Sequence, residues 1–271
     1  MDMKSIQLIM LGTGNAMATK CYNTCFALKI GCEYFLVDAG GGNGIMLQLE
    51  KAEIKYQAIH NMFVTHAHTD HVLGVIWVIR KIAMLMSTEK YDGNLNIYCY
   101  KELQHIITTF CEMTLTAKLN KYIGNRIKFN IIDNGDSHTI LGMEIHFFDI
   151  ASTKMKQYGF RAILPNNKIL VCLGDEPYND VCKSYVEHCD WLLSEAFCLY
   201  EDCDVFKPYE KHHSTALDAG KLAEALKVAN LVLYHTEDTT IDTRKKRYTS
   251  EAKIAFLGNV YVPDDLDIIE L

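Results

Sequence analysis

Hydrophobic positions along the chain recur with two periods, near two and near 3.6, and the switches between them mark out the elements. Residues 6–11 alternate loosely as a strand, and Gly12-Thr13-Gly14 then breaks the pattern. Residues 23–30 and 34–37 predict a hairpin around Gly31, followed by a glycine cluster at 40–44 and an amphipathic run over 45–50. Met62-Phe63-Val64 reads as the end of a buried strand, and residues 75–86 are apolar at helical spacing. A strand over 95–100 precedes a longer helix over 101–119, with a core face of Leu103, Ile106, Ile107 and Phe110.

Farther on, strands are predicted over 127–132, 138–141 and 143–150, with the turn-prone Asp133-Asn134-Gly135-Asp136 between the first two. A short apolar strand over 169–173, a helix over 179–188, and the apolar Trp191-Leu192-Leu193 come next. An amphipathic helix over 216–226, capped by Ser214 or His213, leads to a buried strand at 231–234. The tail, 254–271, carries one or two further strands. Strands interleaved with helices predict an α/β protein.

Between two apolar runs lies Phe63-Val64-Thr65-His66-Ala67-His68-Thr69-Asp70-His71-Val72. Three imidazoles and a carboxylate this close together are ligand chemistry, where a lone histidine would more often be a core or surface residue. In extended backbone, side chains two apart point the same way. His66 and His68 can therefore hold one ion, while Asp70 and His71, beyond the turn, face a second. A solvated polar loop is the plainer account, and the density of the pattern argues against it.

The HxHxDH pattern after a hydrophobic strand resembles the signature of the metallo-β-lactamase superfamily. That resemblance implies an αββα four-layer sandwich with a one- or two-metal hydrolytic site at the strand ends. Leu11-Gly12-Thr13-Gly14-Asn15-Ala16, Tyr22-Asn23-Thr24-Cys25 and Leu36-Val37-Asp38-Ala39-Gly40 further resemble the opening of the ribonuclease Z branch. There the aspartate matching Asp38 supports the metal loop without ligating. As a strand-end residue Asp38 could equally be a cap, which is the same hydrogen-bonding task. No Lys-Ser/Thr comes after the glycine cluster, so a nucleotide-binding P-loop is excluded.

Within the same resemblance, Gly174-Asp175 matches the bridging aspartate, and His235 completes the second metal with Asp70 and His71. His213, in His213-Ser214-Thr215, matches the proton donor to the leaving group. Glu195, in Ser194-Glu195-Ala196-Phe197, would hold it, although Ser194 stands where the family has histidine. The loop from Asp149 to Arg161 retains the branch pattern, but Ala151 stands where a metal-binding histidine is expected. An alanine has no lone pair to offer. The first metal would keep only His66, His68 and Asp175, and this chain is expected to be impaired. Because the flanking loop and the other ligands are intact, a single introduced substitution is the reading favoured over gradual erosion.

The implied activity is a metal-dependent hydrolase, best read as a phosphodiesterase using two divalent ions, Zn2+ or else Mn2+ or Fe. A hydroxide shared by the ions would attack, oriented by Asp70. The branch grasps transfer RNA through an arm inserted after the Gly-Tyr-Arg loop, whereas only residues 162–168 separate that loop from the next strand here. A small phosphodiester, such as a cyclic nucleotide, is therefore favoured over an RNA 3′ end. Ser152, Lys154 and Tyr158 are candidate substrate contacts, and the resemblance implies a homodimer. The alternative is a non-catalytic metal- or nucleotide-binding module of the same fold, which Ala151 supports.

Composition agrees with this. At 271 residues with 49% hydrophobic positions, the chain can bury a core as one domain over 1–271, or at most two closely packed halves. A net charge of −7 supplies no basic field for long nucleic acid. The first ten residues lack a signal-peptide pattern, and no apolar run reaches the ~20 residues of a membrane span, so a cytoplasmic location is expected. The ten cysteines then read as reduced thiols.

Overall fold

The computed structural model describes residues 5–271 and divides them into two compact α/β units, each built on a seven-stranded mixed sheet. Residues 1–4, part of the ten-residue start that lacks a signal-peptide pattern, lie outside the described residues. One unit comprises residues 5–12, Tyr22–Asp133 and Leu266–Leu271; the other comprises Thr13–Cys21 and Asn134–Asp265.

In the first unit, β1 (Ile6–Gly12), β2 (Cys25–Ile30) and β3 (Glu33–Val37) are antiparallel neighbours. From β3 onward, β4 (Ile59–Phe63), β5 (Leu95–Cys99) and β6 (Ile127–Ile131) run parallel. Parallel strands need crossover helices, supplied by α1 (Gly44–Lys51), α2 (Thr69–Ser87), α3 (Lys101–Thr114) and α4 (Ala117–Asn120). Val72, Val75, Val78, Ile79, Ile82, Ala83 and Met86 form the buried stripe of α2, at the 3.6-residue period read from the sequence.

In the second unit, β7 (Ser137–Ile140), β8 (Met143–Asp149), β9 (Tyr158–Ile163) and β10 (Ile169–Cys172) are antiparallel in succession. Then β11 (Trp191–Glu195), β12 (Asn230–Tyr234) and β13 (Asn259–Tyr261) extend the sheet in parallel from β10. Two short turns, α5 (Lys183–Val186) and α6 (Cys203–Phe206), precede the longer α7 (Ala216–Ala225) and α8 (Arg244–Ala252). Alternate strand residues such as Val171, Leu192, Leu231 and Leu233 share a core with Ala216, Ala219 and Ala223 of α7 and Tyr248 and Ala252 of α8. Returning to the first unit, β14 (Ile268–Glu270) pairs with β1.

Several expectations are corrected. The helix predicted over 101–119 ends at Thr114, restarts at Ala117, and leaves Phe110 41% exposed. Extended backbone at Leu115 and Thr116 interrupts the helical hydrogen bonding. Residues 179–188 form only a 3-10 turn and α5 in place of a helix. The cap of α7 is Thr215, one residue later than expected, in a reciprocal capping box with Asp218. The last four loop residues, Tyr158 to Arg161, belong to β9, and α8 has no counterpart among the elements predicted from the sequence.

Candidate metal centre

Parallel strands bring the residues just beyond their carboxyl ends to one edge of a sheet, and in α/β proteins chemistry gathers there. In the first unit Asp38 comes directly after β3, and Thr65 and His66 come after β4. In the second, Asp175 comes shortly after β10, Glu195 is the last residue of β11, and His235 is the residue next to the end of β12. Asp38 and His235 both adopt left-handed backbone, with φ of 54° and 58°, a conformation Asp and His tolerate better than most residues.

Within the first unit the histidines are held by their Nδ1 edges. Asp38 Oδ1 accepts the Thr65 N–H at 2.8 Å, and Oδ2 accepts the Thr65 hydroxyl at 2.7 Å. Having donated its proton, that hydroxyl accepts from His66 Nδ1 at 2.9 Å. His71 Nδ1 donates to Asp38 Oδ2 at 2.8 Å. Both rings are thereby fixed in the tautomer whose Nε2 carries a lone pair, the form a metal needs.

His66 Nε2 lies 2.9 Å from His68 Nδ1, and the His66 and His71 ring centroids are 4.2 Å apart. Two ligands about 2.0 Å from one tetrahedral ion sit roughly 3.3 Å apart, so the convergence of the His66 and His68 nitrogens fits a shared ion. Asp70 and His71 occupy the first turn of α2, with Asp70 Oδ2 3.4 Å from His71 Nε2. A carboxylate there is favoured by the helix dipole. The helix thus begins at Thr69, inside the motif, six residues before the start at 75 expected from the sequence.

In the second unit Asp175 Oδ2 and His235 Nε2 are 3.6 Å apart, and both residues are buried. Gln157 donates to Asp175 Oδ1 at 2.7 Å. Glu195, His213 and His235 each offer one ligand-type atom within 4.8 Å of the others. Glu195 Oε1 accepts the Ser214 N–H at 2.5 Å, while Oε2 stands 3.6 Å from His213 Nδ1. The Phe197 ring stacks on His213 at 4.7 Å and 6°, and the Lys211 ammonium lies over its ring at 5.2 Å. This donor set of buried imidazoles and carboxylates fits borderline divalent ions such as zinc.

Ala151 is exposed, with φ 56°, and its N–H donates to Asp149 Oδ1 at 2.8 Å. Next to it the Ser152 hydroxyl donates to the buried Glu176 at 2.7 Å. A cavity of about 250 Å³ is lined by Ala151, Thr153, Glu176, Tyr178, His212 and His213. Lys154 is exposed, whereas Tyr158 is 2% exposed in β9 with the Lys156 ammonium over its ring at 5.6 Å. Thr65, Gln157 and Phe197 take part in these contacts without having been singled out in the sequence. Only Thr65, between a strand end and the histidine motif, stood where a supporting hydroxyl could have been anticipated.

No helix among the described residues is long and apolar enough to cross a membrane. None of the ten cysteines forms a disulfide.

Comparison with known proteins agrees with this geometry. The Ribonuclease Z of Thermococcus sibiricus is 25% identical, over 98% of this chain and 96% of its own. The metallo-β-lactamase fold protein YhfI from Bacillus subtilis superposes with a TM-score of 0.78 at 18% identity, covering 98% of this chain and 100% of that one. Human tRNase Z, short form, gives 0.74 at 20% identity, covering 97% and 98%. The fold is therefore of the metallo-β-lactamase type, and the relatives make the chain a metal-dependent hydrolase of ribonuclease Z type. A family model described as "Anti-Pycsar protein Apyc1" matches residues 6–261. With its histidine motif and strand-end carboxylates in place, the chain belongs to the anti-Pycsar protein Apyc1 family, a ribonuclease Z-like branch of the metallo-β-lactamase fold.

Proposed function

We propose that this chain is built as a dinuclear phosphodiesterase acting on a small phosphodiester. The observation that carries the reading is the Asp38–Thr65 support, which holds His66 and His71 by Nδ1 and so makes Nε2 the lone-pair nitrogen of each ring. His66 and His68 would hold one ion and Asp70, His71 and His235 the other, with Asp175 shared. When bound, two such ions neutralise the phosphoryl oxygens and lower the pKa of water towards neutrality. Asp70 would orient the attacking water. His213, steered by Glu195 and stacked on Phe197, would protonate the departing oxygen.

The preference for a small substrate rests on β9 and β10 being joined by a tight turn, in which Leu164 and Lys168 pair at 2.8 Å. No arm is inserted there, and the net charge of −7 disfavours a long polyanion. Ala151 would leave the first ion one ligand short and slow the chain as it stands.

Metal analysis together with hydrolysis of bis(p-nitrophenyl) phosphate, for this chain and its Ala151→His form, tests the reading. Turnover that rises with metal content supports it. Metal binding without turnover in either form would favour a non-catalytic metal- or nucleotide-binding module, the reading that Ala151 itself suggests. Cleavage of a precursor transfer RNA but of no small diester would overturn the substrate class.

A further inference from the structure

We infer that Gln157 is a positioning residue for Asp175, fixing the direction of the carboxylate proposed to be shared between the two ions. This rests on the metal role proposed for Asp175 above.

Gln157 is 1% exposed, and its side chain meets Asp175 Oδ1 at 2.7 Å. A carboxylate only accepts hydrogen bonds, so the amide nitrogen must be the group that faces it. The contact engages Oδ1, while Oδ2 stands 3.6 Å from His235 Nε2.

The chain around this pair is shaped for it. Gly174 has φ +79°, and a Cβ at that position would lie 2.2 Å from the Gln157 nitrogen. Glycine is therefore required twice, for the left-handed turn and for the close approach of the amide. The Gly174 carbonyl in turn accepts from the Tyr234 hydroxyl, the residue immediately before His235. Gln157 also accepts the Ile150 N–H on its own carbonyl at 3.1 Å, which ties it to the segment leading into Ala151. One residue thus connects the loop that lacks a ligand with the aspartate that keeps one.

A neutral donor suits the task. It orders Asp175 without neutralising the anion on which cation binding depends, whereas a lysine would compete with the ion and a second carboxylate would repel the first.

The test is zinc titration of the full chain, by competition with a chromophoric chelator, for the parent, Gln157→Met and Asp175→Asn. Gln157→Met keeps the length and removes the donor. It is expected to weaken zinc binding about 10–100-fold, the usual effect of losing a group that orients a ligand. Its melting temperature in excess chelator should stay near the parent's, which a purely structural role would not allow. Unchanged zinc affinity in Gln157→Met, with weakened affinity in Asp175→Asn, overturns the inference alone. Unchanged affinity in Asp175→Asn overturns the metal role of Asp175 instead. If Gln157→Met does not fold, Gln157→Leu, which likewise has no donor, gives the same decision, since a parent-like zinc affinity there would show that the donor is dispensable.

Discussion

His71 Nδ1 donates to Asp38 Oδ2 at 2.8 Å across 33 residues of chain, and the same carboxylate holds Thr65, which holds His66. One aspartate thereby sets the tautomer of two histidines. Asp38→Asn keeps the shape but can present an N–H to His71 Nδ1, which favours the tautomer protonated on Nε2. Zinc retained after dialysis should fall, with affinity about 10–100-fold weaker. Parent-like zinc content would show that Asp38 is only a strand-end cap.

Ala151→His should raise both zinc stoichiometry and hydrolysis of a chromogenic diester. Histidine tolerates the left-handed backbone found there, with φ 56°. A gain of about tenfold or more in affinity at the weaker site is expected from one added ligand. Unchanged stoichiometry and rate would remove Ala151 from the metal centre.

In the Ala151→His background, His213→Ala should lower turnover by about 10²–10⁴ while zinc content holds. A parallel loss of zinc would instead make His213 a ligand, a role its place within 4.8 Å of Glu195 and His235 also permits.

Helix α2 packs against the turn after Asp38 through Gly74. An ideal Cβ on Gly74 would fall 1.7 Å from the Ala39 carbonyl oxygen, and Gly74 N–H already donates to Gly40 at 2.8 Å. Gly74→Ala must push the first turns of α2, with Asp70 and His71, away from the turn after Asp38. A loss of about 1–3 kcal/mol or more is expected by thermal or chemical denaturation.

Burial pushes the thiols of Cys99, Cys111, Cys182 and Cys189 up to about 12. Because the folded chain binds these protons more tightly than the unfolded one, stability is full below the ordinary thiol range. It should fall as pH rises from about 9 towards 12, by roughly 1.4 kcal/mol per thiol per pH unit. Urea midpoints at pH 8 and pH 10 measure this, and equal midpoints would tell against it. The exposed Cys32 should react with a thiol reagent in the native state well before these four.

The sheet strands and the histidine motif were legible because their signals are local: a period of two, or four ligand-type residues within six. Asp38, Asp175 and His235 each come just after a strand, and the family resemblance is what singled them out. What lay beyond reach depends on contacts between distant segments. Gln157 reads as an ordinary loop polar residue until folding brings it to Asp175, 18 residues away. The break at Leu115 and Thr116 has no glycine or proline to announce it. Thr215 displaced Ser214 and His213 as the cap because Ser214 is already engaged with Glu195 through both its N–H and its hydroxyl. Helix α8 was missed because its sequence is mostly charged, with only Arg244, Tyr248 and Ala252 buried.

The interleaving of the two units bears on how the protein is made. Gly14 and Asn15 pair with Thr236, and β1 pairs with β14, so each unit takes in residues from near both ends of the chain. During vectorial synthesis β1 can pair with β2 early, but its other edge and the Gly14–Asn15 loop must wait for partners that leave the ribosome more than two hundred residues later. An edge of β1 and a polar loop therefore stay open through most of translation, which makes nascent-chain escort a stronger requirement here than for a protein whose halves close one after the other.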